Sequence, residues 1–251
     1  MDDFSRRKFL RKAASALPSA AIAGSMVSQA TASAAAPKLN VVVAGGHPGD
    51  PEYGCGGTVA RYTQAGHAVT LLYLNRGEGG ITGKTPSQAA EIRSAEAAKA
   101  CGLLHARPLF ADQIDGQAVV DKAHYDSFSR IVESSKPDVL FTHWPIDGHP
   151  DHRAISMMCY EAWLRMGKSF AFYYYEVSDG EDTLMFPPVD YVDISGVAEL
   201  KRQACYSHAS QSPAHFYALQ EQVARFRGME SGVAQAEAFV RHVQSRSGLL
   251  P

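Results

Sequence analysis

The chain lacks the features that mark several protein classes. Its four cysteines, Cys55, Cys101, Cys159 and Cys205, stand singly in apolar or helical surroundings and form no C-x-x-C pair. That argues against a cysteine zinc knuckle and reads them as small core residues. No lysine- or arginine-rich block lies beyond the first dozen residues, and 24 basic against 26 acidic side chains leave a formal net charge of -2. A nucleic-acid partner is therefore not expected. No G-x-S-x-G elbow is present to frame a serine nucleophile. The run Gly54-Cys55-Gly56-Gly57 does not spell G-x-G-x-x-G, and the second predicted strand runs into Asn75 rather than an acid. Both departures count against a dinucleotide oxidoreductase. Internal repeats and credible linkers are also missing. At 251 residues and 45% hydrophobic, the chain is long enough to bury one full core.

Ahead of that core stands a leader. Ser5-Arg6-Arg7-Lys8-Phe9-Leu10-Arg11-Lys12 precedes a mildly apolar, alanine-rich stretch and then Ala30-Thr31-Ala32-Ser33-Ala34-Ala35-Ala36. A basic region, a weak apolar region and small-residue cleavage sites follow in the order of a signal peptide. The paired arginines resemble a twin-arginine export signal. Residues 1–34 are read as that signal and 35–251 as one domain, exported by the twin-arginine machinery to the periplasm or beyond. Serines and prolines in the apolar region argue against stable membrane insertion.

Periodicity predicts strands alternating with helices. The apolar run at 39–44 is short, β-branched and closed by glycines, and reads as a buried strand. A helix at 55–64, a strand at 68–74 and a glycine-rich loop at 75–83 follow. A helix at 86–101, a strand at 107–110, a helix at 120–135 and a strand at 138–142 come next. The following helix carries Ile155, Met158, Cys159, Ala162, Trp163 and Met166 on one stripe, as packing on a sheet requires. Strands at 170–176 and 191–194 and helices at 197–208 and 214–226 complete the chain. The expected fold class is α/β: a Rossmann-like, doubly wound, mostly parallel sheet with helices on both faces. In strand order 3-2-1-4-5 the crevice opens between the carboxyl ends of strands one and four.

Both of those strands end in ligand-type residues. The first leads into His47-Pro48-Gly49-Asp50, with Glu52 close behind, and the fourth into a loop holding His149-Pro150-Asp151-His152. Two imidazoles and a carboxylate form a zinc-type catalytic set that leaves positions open for water and substrate. The same set also suits iron(II). Topology brings the two loops together at one ion. Among the aromatics, Trp144 beside the second cluster is the best candidate for stacking on a bound molecule, because most of the others fall in predicted strands.

These residues carry a resemblance. HPGDPEYGCGGT followed by HPDH resembles the LmbE-like (PIG-L) family of metal-dependent N-acetylglucosaminyl deacetylases. Asn75-Arg76-Gly77-Glu78-Gly79-Gly80 is similar to the family's glycine-rich loop, and Arg93 with Glu96 to its R-x-x-E helix. Asp193-Ile194, Lys201, His208, Ser210 and Gln211 are similar to its late D-I…K…H-x-S-Q stretch. The resemblance implies zinc ligands at His47, Asp50 and His152. It implies that His149 polarises the amide oxygen or protonates the leaving amine, with Asp151 holding its imidazolium form. Arg93 and Asp115 are the implied grips on the sugar. The implied activity is removal of an acetyl group from an amino sugar or glycan derivative.

One position departs. The family motif usually reads H-P-D-D, and its first aspartate is the general base; here that position is Gly49. The sequence leaves three readings open: a nearby carboxylate such as Glu52 or Asp147 moves the proton, the substrate brings its own base, or the protein binds sugar without cleaving it or runs another reaction on the same metal.

Overall fold

The sheet is built outward from the first strand, β1 (Asn40–Gly45). It pairs in parallel with β2 (Ala68–Tyr73) on one side and β4 (Val139–His143) on the other. The computed structural model describes residues 37–178 and 180–251. The predicted signal peptide therefore lies outside the described residues. With β3 (Arg107–Phe110), β5 (Ala171–Tyr175), β6 (Asp190–Asp193) and β7 (Ala236–Arg241), the strand order is β3-β2-β1-β4-β5-β7-β6. The five strands from β3 to β5 are parallel in the expected 3-2-1-4-5 order; β7 runs antiparallel to both β5 and β6.

Alternation along β1 divides the core in two. Val41 and Val43 join α1 (Asp50–Gln64), α2 (Pro86–Leu103), α5 (Ala198–Tyr206) and α6 (Pro213–Ser231) in one apolar cluster. Val42 and Ala44 join α3 (Lys122–Ser135) and α4 (Pro150–Arg165) in the other. The stripe read from sequence on α4 holds, with Ile155, Met158, Cys159, Ala162 and Trp163 fully buried and Met166 partly so. All four cysteines are buried and free.

Three elements differ from the sequence reading, the simplest being α6, which runs on to Ser231 instead of ending at 226. Helix α1 starts at Asp50, not at residue 55, and its glycines lie inside it. They are there for close approach rather than for a turn: a Cβ at Gly54 would stand 2.4 Å from the Tyr175 ring, and one at Gly57 would stand 2.5 Å from Ile194. Pro51 is tolerated because the first helical turn has no partner for its missing N–H. The third difference is β7, absent from the sequence reading. Alanine and glutamate are poor strand formers, yet Glu237 anchors the strand. Its buried carboxylate accepts from Gly57 N (2.8 Å), Thr58 N (2.7 Å) and Lys201 Nζ (2.7 Å).

Candidate active site

The carboxyl ends of β1 and β4 lie side by side, with Ala44 opposite Thr142, so the loops that follow them meet. On the first, His47 sits in a turn and Asp50 is the first residue of α1. On the second, His149 caps α4, with Asp151 and His152 in its first turn. Asp50 Oδ2 is the hub. It lies 3.3 Å from His47 Nδ1, 3.2 Å from His152 Nε2 and 3.2 Å from His143 Nε2, and accepts from His47 N at 2.8 Å. The first two separations match the roughly 3.3 Å edge of a tetrahedron with zinc bonds of about 2.0–2.1 Å.

The far nitrogens of both imidazoles meet carboxylates, the arrangement that fixes metal-ligating histidines. His47 Nε2 lies 3.1 Å from both Asp151 Oδ2 and Asp115 Oδ1, and His152 Nδ1 lies 3.0 Å from Asp147 Oδ1. Electrostatics agree with a cation site. Burial opposes ionisation of Asp50, but His152, His143 and His47 outweigh it and hold the carboxyl well below its usual range. Burial likewise disfavours charge on His152, yet Asp50 and Asp147 raise it to about 9. Asp50 thus stands at metal-ligand spacing from one nitrogen each of His47 and His152, and among the described residues the groups of three whose ligand atoms lie within 4.8 Å of one another are His47-His149-His152, Asp50-His143-His152 and His47-Asp115-Asp151. Beside it opens a cavity of about 460 Å³, whose lining includes Arg93, Asp115, His149, Asp182, Gln211 and Phe216.

Comparison with known proteins places this geometry. The family described as GlcNAc-PI de-N-acetylase, PIG-L, matches residues 41–163, a span that holds both histidine loops. The resemblance to the PIG-L family read from the sequence is borne out over that span. The diacetylchitobiose deacetylase of Thermococcus kodakarensis is 27% identical over 219 residues, covering 76% of this chain and 78% of that protein. Among solved structures, the N,N'-diacetylchitobiose deacetylase from Pyrococcus horikoshii superposes with a TM-score of 0.71 at 23% identity, over 80% of this chain and 83% of that one. GalB, the 4-carboxy-2-hydroxymuconate hydratase of Pseudomonas putida, superposes at 0.74 with 22% identity, over 86% and 100%. Both structures share the fold of this chain.

Several PIG-L motif residues take places the sequence did not foretell. Arg93 is buried on the cavity wall and donates to Pro48 O at 2.8 Å. It makes no salt bridge to Glu96, whose carboxylate accepts from Ser210 N (2.8 Å) and Ser210 Oγ (2.7 Å). The loop glycines make room for Arg93: a Cβ at Gly77 or Gly80 would meet its guanidinium at 2.3 or 2.4 Å. Asp115 also lines the cavity, held by Gly79 N at 3.0 Å.

Three expectations need correction. Glu52 is fully buried away from the cavity lining, where its Oε1 accepts from Tyr73 Oη (2.7 Å) and faces His208 Nε2 (3.0 Å). It is not placed to act as a base. The Asp151 carboxylate does not hold His149; it meets His47, Asn75 Nδ2 (2.9 Å) and Gly116 N (2.8 Å). Only the backbone N–H of Asp151 reaches His149, donating to Nδ1 at 3.2 Å. Trp144 packs edge-on to Tyr174 and Phe186 and is not part of the cavity lining.

His143 was missed. Fully buried at the end of β4, it touches Asp50, receives Gly46 N at 3.2 Å and stacks on His152 with ring centroids 3.9 Å apart. The signal for it was its place as the last residue of a strand bearing on the crevice. Asp147, considered as a base, instead holds His152, accepting also from His149 N (2.8 Å) and Thr183 Oγ1 (3.1 Å).

Proposed function

We propose that the protein is an exported, zinc-dependent deacetylase that removes the acetyl group from an N-acetylated amino sugar or glycan fragment. The observation that carries this reading is the placement of Asp50 within 3.3 Å of a nitrogen of both His47 and His152, with His149 on the wall of the adjoining cavity. Zinc held by those three residues, or iron(II) in its place, supplies a Lewis acid for the amide carbonyl and a water whose pKa is brought to about 7. His149 Nδ1 accepts from the Asp151 backbone, so the neutral ring carries its proton on Nε2. That N–H is the donor for the oxygen on which charge develops. Burial, then His47 and His152, lower the basicity of His149 and keep the ring in this neutral form. Arg93, Asp115 and Gln211 offer polar groups along the cavity for hydroxyls. The twin-arginine-like leader supports a site of action in the periplasm or outside the cell.

Gly49 favours a second reading, a metal-dependent carbohydrate-binding protein without turnover, because the family's base is missing there. Acetate release from a panel of N-acetylated sugars by the zinc-loaded protein separates the two. Turnover supports the deacetylase. Saturable, zinc-dependent sugar binding with no acetate released would leave the binding protein in its place.

A further inference from the structure

The cavity has a carboxylate that no motif supplies. Among the described residues its lining includes three: Asp50, Asp115 and Asp182. Asp50 is committed to the cation site, and Asp115 is held by His47 Nε2 and Gly79 N. Asp182 is half-buried, and its carboxylate makes no hydrogen bond to another described residue. Its backbone is nevertheless fixed. Asp182 N donates to Ser178 O at 3.0 Å, and Asp182 O accepts from Gly148 N, next to His149, at 2.8 Å. The following residue, Thr183, forms an isolated β-bridge with Asp147 and donates from its hydroxyl to the Asp147 carboxylate. A carboxylate with no hydrogen-bond partner among the described residues is thus pinned on the wall that carries His149, in a protein whose motif has glycine where the family has its base.

We propose that Asp182 is the proton-transfer carboxylate of this site, taking a proton from the attacking water and delivering it to the departing nitrogen. This rests on the deacetylase reading. As the water oxygen bonds to the amide carbon, its O–H proton passes to an Asp182 oxygen and the carbonyl π pair moves onto oxygen, where His149 Nε2–H meets it. When the C–N bond breaks, that pair re-forms the carbonyl and nitrogen takes the proton from Asp182. Water and amide become amine and acetic acid, and Asp182 ends ionised as it began. Asp182 suits the task better than Asp115. Burial raises the Asp182 carboxyl, with His152 lowering it and Asp147, Asp50 and Glu181 adding to the rise. Both oxygens of Asp115 are already engaged, Oδ1 by His47 Nε2 and Oδ2 by the Gly79 amide, which leaves it the poorer acceptor for a proton.

The test is steady-state kinetics of zinc-loaded Asp182→Asn on the sugar the wild type cleaves best. The expected kcat is about 10²- to 10⁴-fold lower, with KM within a few-fold and zinc content unchanged. Asp182→Ala should show the same loss and recover part of its rate in added formate, which replaces the carboxylate. A kcat for Asp182→Asn within threefold of wild type would overturn the assignment while leaving the deacetylase reading intact. So would a loss in Asp182→Ala that formate does not relieve. A wild type that releases no acetate from any sugar removes the parent reading, and the base assignment falls with it.

Discussion

Zinc binding should expel protons, and the carboxylates around the two ligand imidazoles set how many. Burial disfavours charge on His152, but Asp50 and Asp147 push it up to about 9. Buried His47 is likewise raised well above 6.5 by Asp115, Asp151 and Asp50. At pH 7 both rings of the zinc-free protein are cationic, and each must shed a proton before it can offer a lone pair. His143, pushed down to about 4 by burial and then by His152, has none to give. The expected release is about two protons per zinc at pH 7, and apparent affinity should rise roughly tenfold per pH unit for each proton still bound. Holding His152 about two units above pH 7 weakens zinc binding there by about 3 kcal/mol. Calorimetric titration in buffers of differing ionisation enthalpy reads the number directly. The sign for stability follows from the raised folded value: the contribution of His152 is complete below its unfolded pKa near 6.5 and disappears as pH climbs towards 9. The zinc-free Tm should fall across that window. A proton count near zero at pH 7, or one equal at pH 7 and pH 9.5, would refute this account of the site.

Three further outcomes are expected. Glu237→Ala strands the buried Lys201 ammonium and the Gly57 and Thr58 amides, which should cost about 3–5 kcal/mol in urea denaturation; a loss below about 1 kcal/mol would contradict the buried pair. At Gly49, φ is +115°, while a Cβ would meet nothing closer than 3.5 Å, so the penalty for Gly49→Ala is backbone strain of roughly 1–3 kcal/mol. Gly49→Asp should bear the same strain, and an aspartate variant as stable as wild type would show the loop relaxing at no expense. His143→Asn removes the imidazole that touches Asp50 and stacks on His152; zinc affinity should weaken about 10- to 100-fold, measured by competition with a chelating dye.

The strand order and the meeting of the two histidine loops were legible because they follow from alternating strands and helices and from where β1 and β4 end. Residue roles within a motif were less so, because a helix or strand turns neighbours apart. Asp50 opens α1, and two residues on, about 200° around the helix, Glu52 faces Tyr73 and His208 instead of the cavity. His143 and Trp144 are adjacent yet turn to opposite sides, one to Asp50 and the other to Tyr174 and Phe186. The start of α1 was misplaced because Gly54, Gly56 and Gly57 look like turn residues, while their cause is a ring and side chains elsewhere in the chain. Strand β7 was illegible for a related reason. The partners that stabilise it, Lys201 and the Gly57 and Thr58 amides, are 36 to 180 residues away in sequence.

The contact between Thr183 and Asp147 has an evolutionary price. Thr183 lies in the connection from β5 to β6 that supplies Val177, Ser178 and Asp182 to the cavity wall, and through Asp147 it also orients the ring of His152. A chimaera that exchanges this connection for a relative's, in order to change which molecule is accepted, therefore alters metal retention in the same stroke. Exchanges that keep a hydroxyl at position 183 preserve that hold on Asp147, whereas Phe216, which α6 contributes to the lining, takes no part in it.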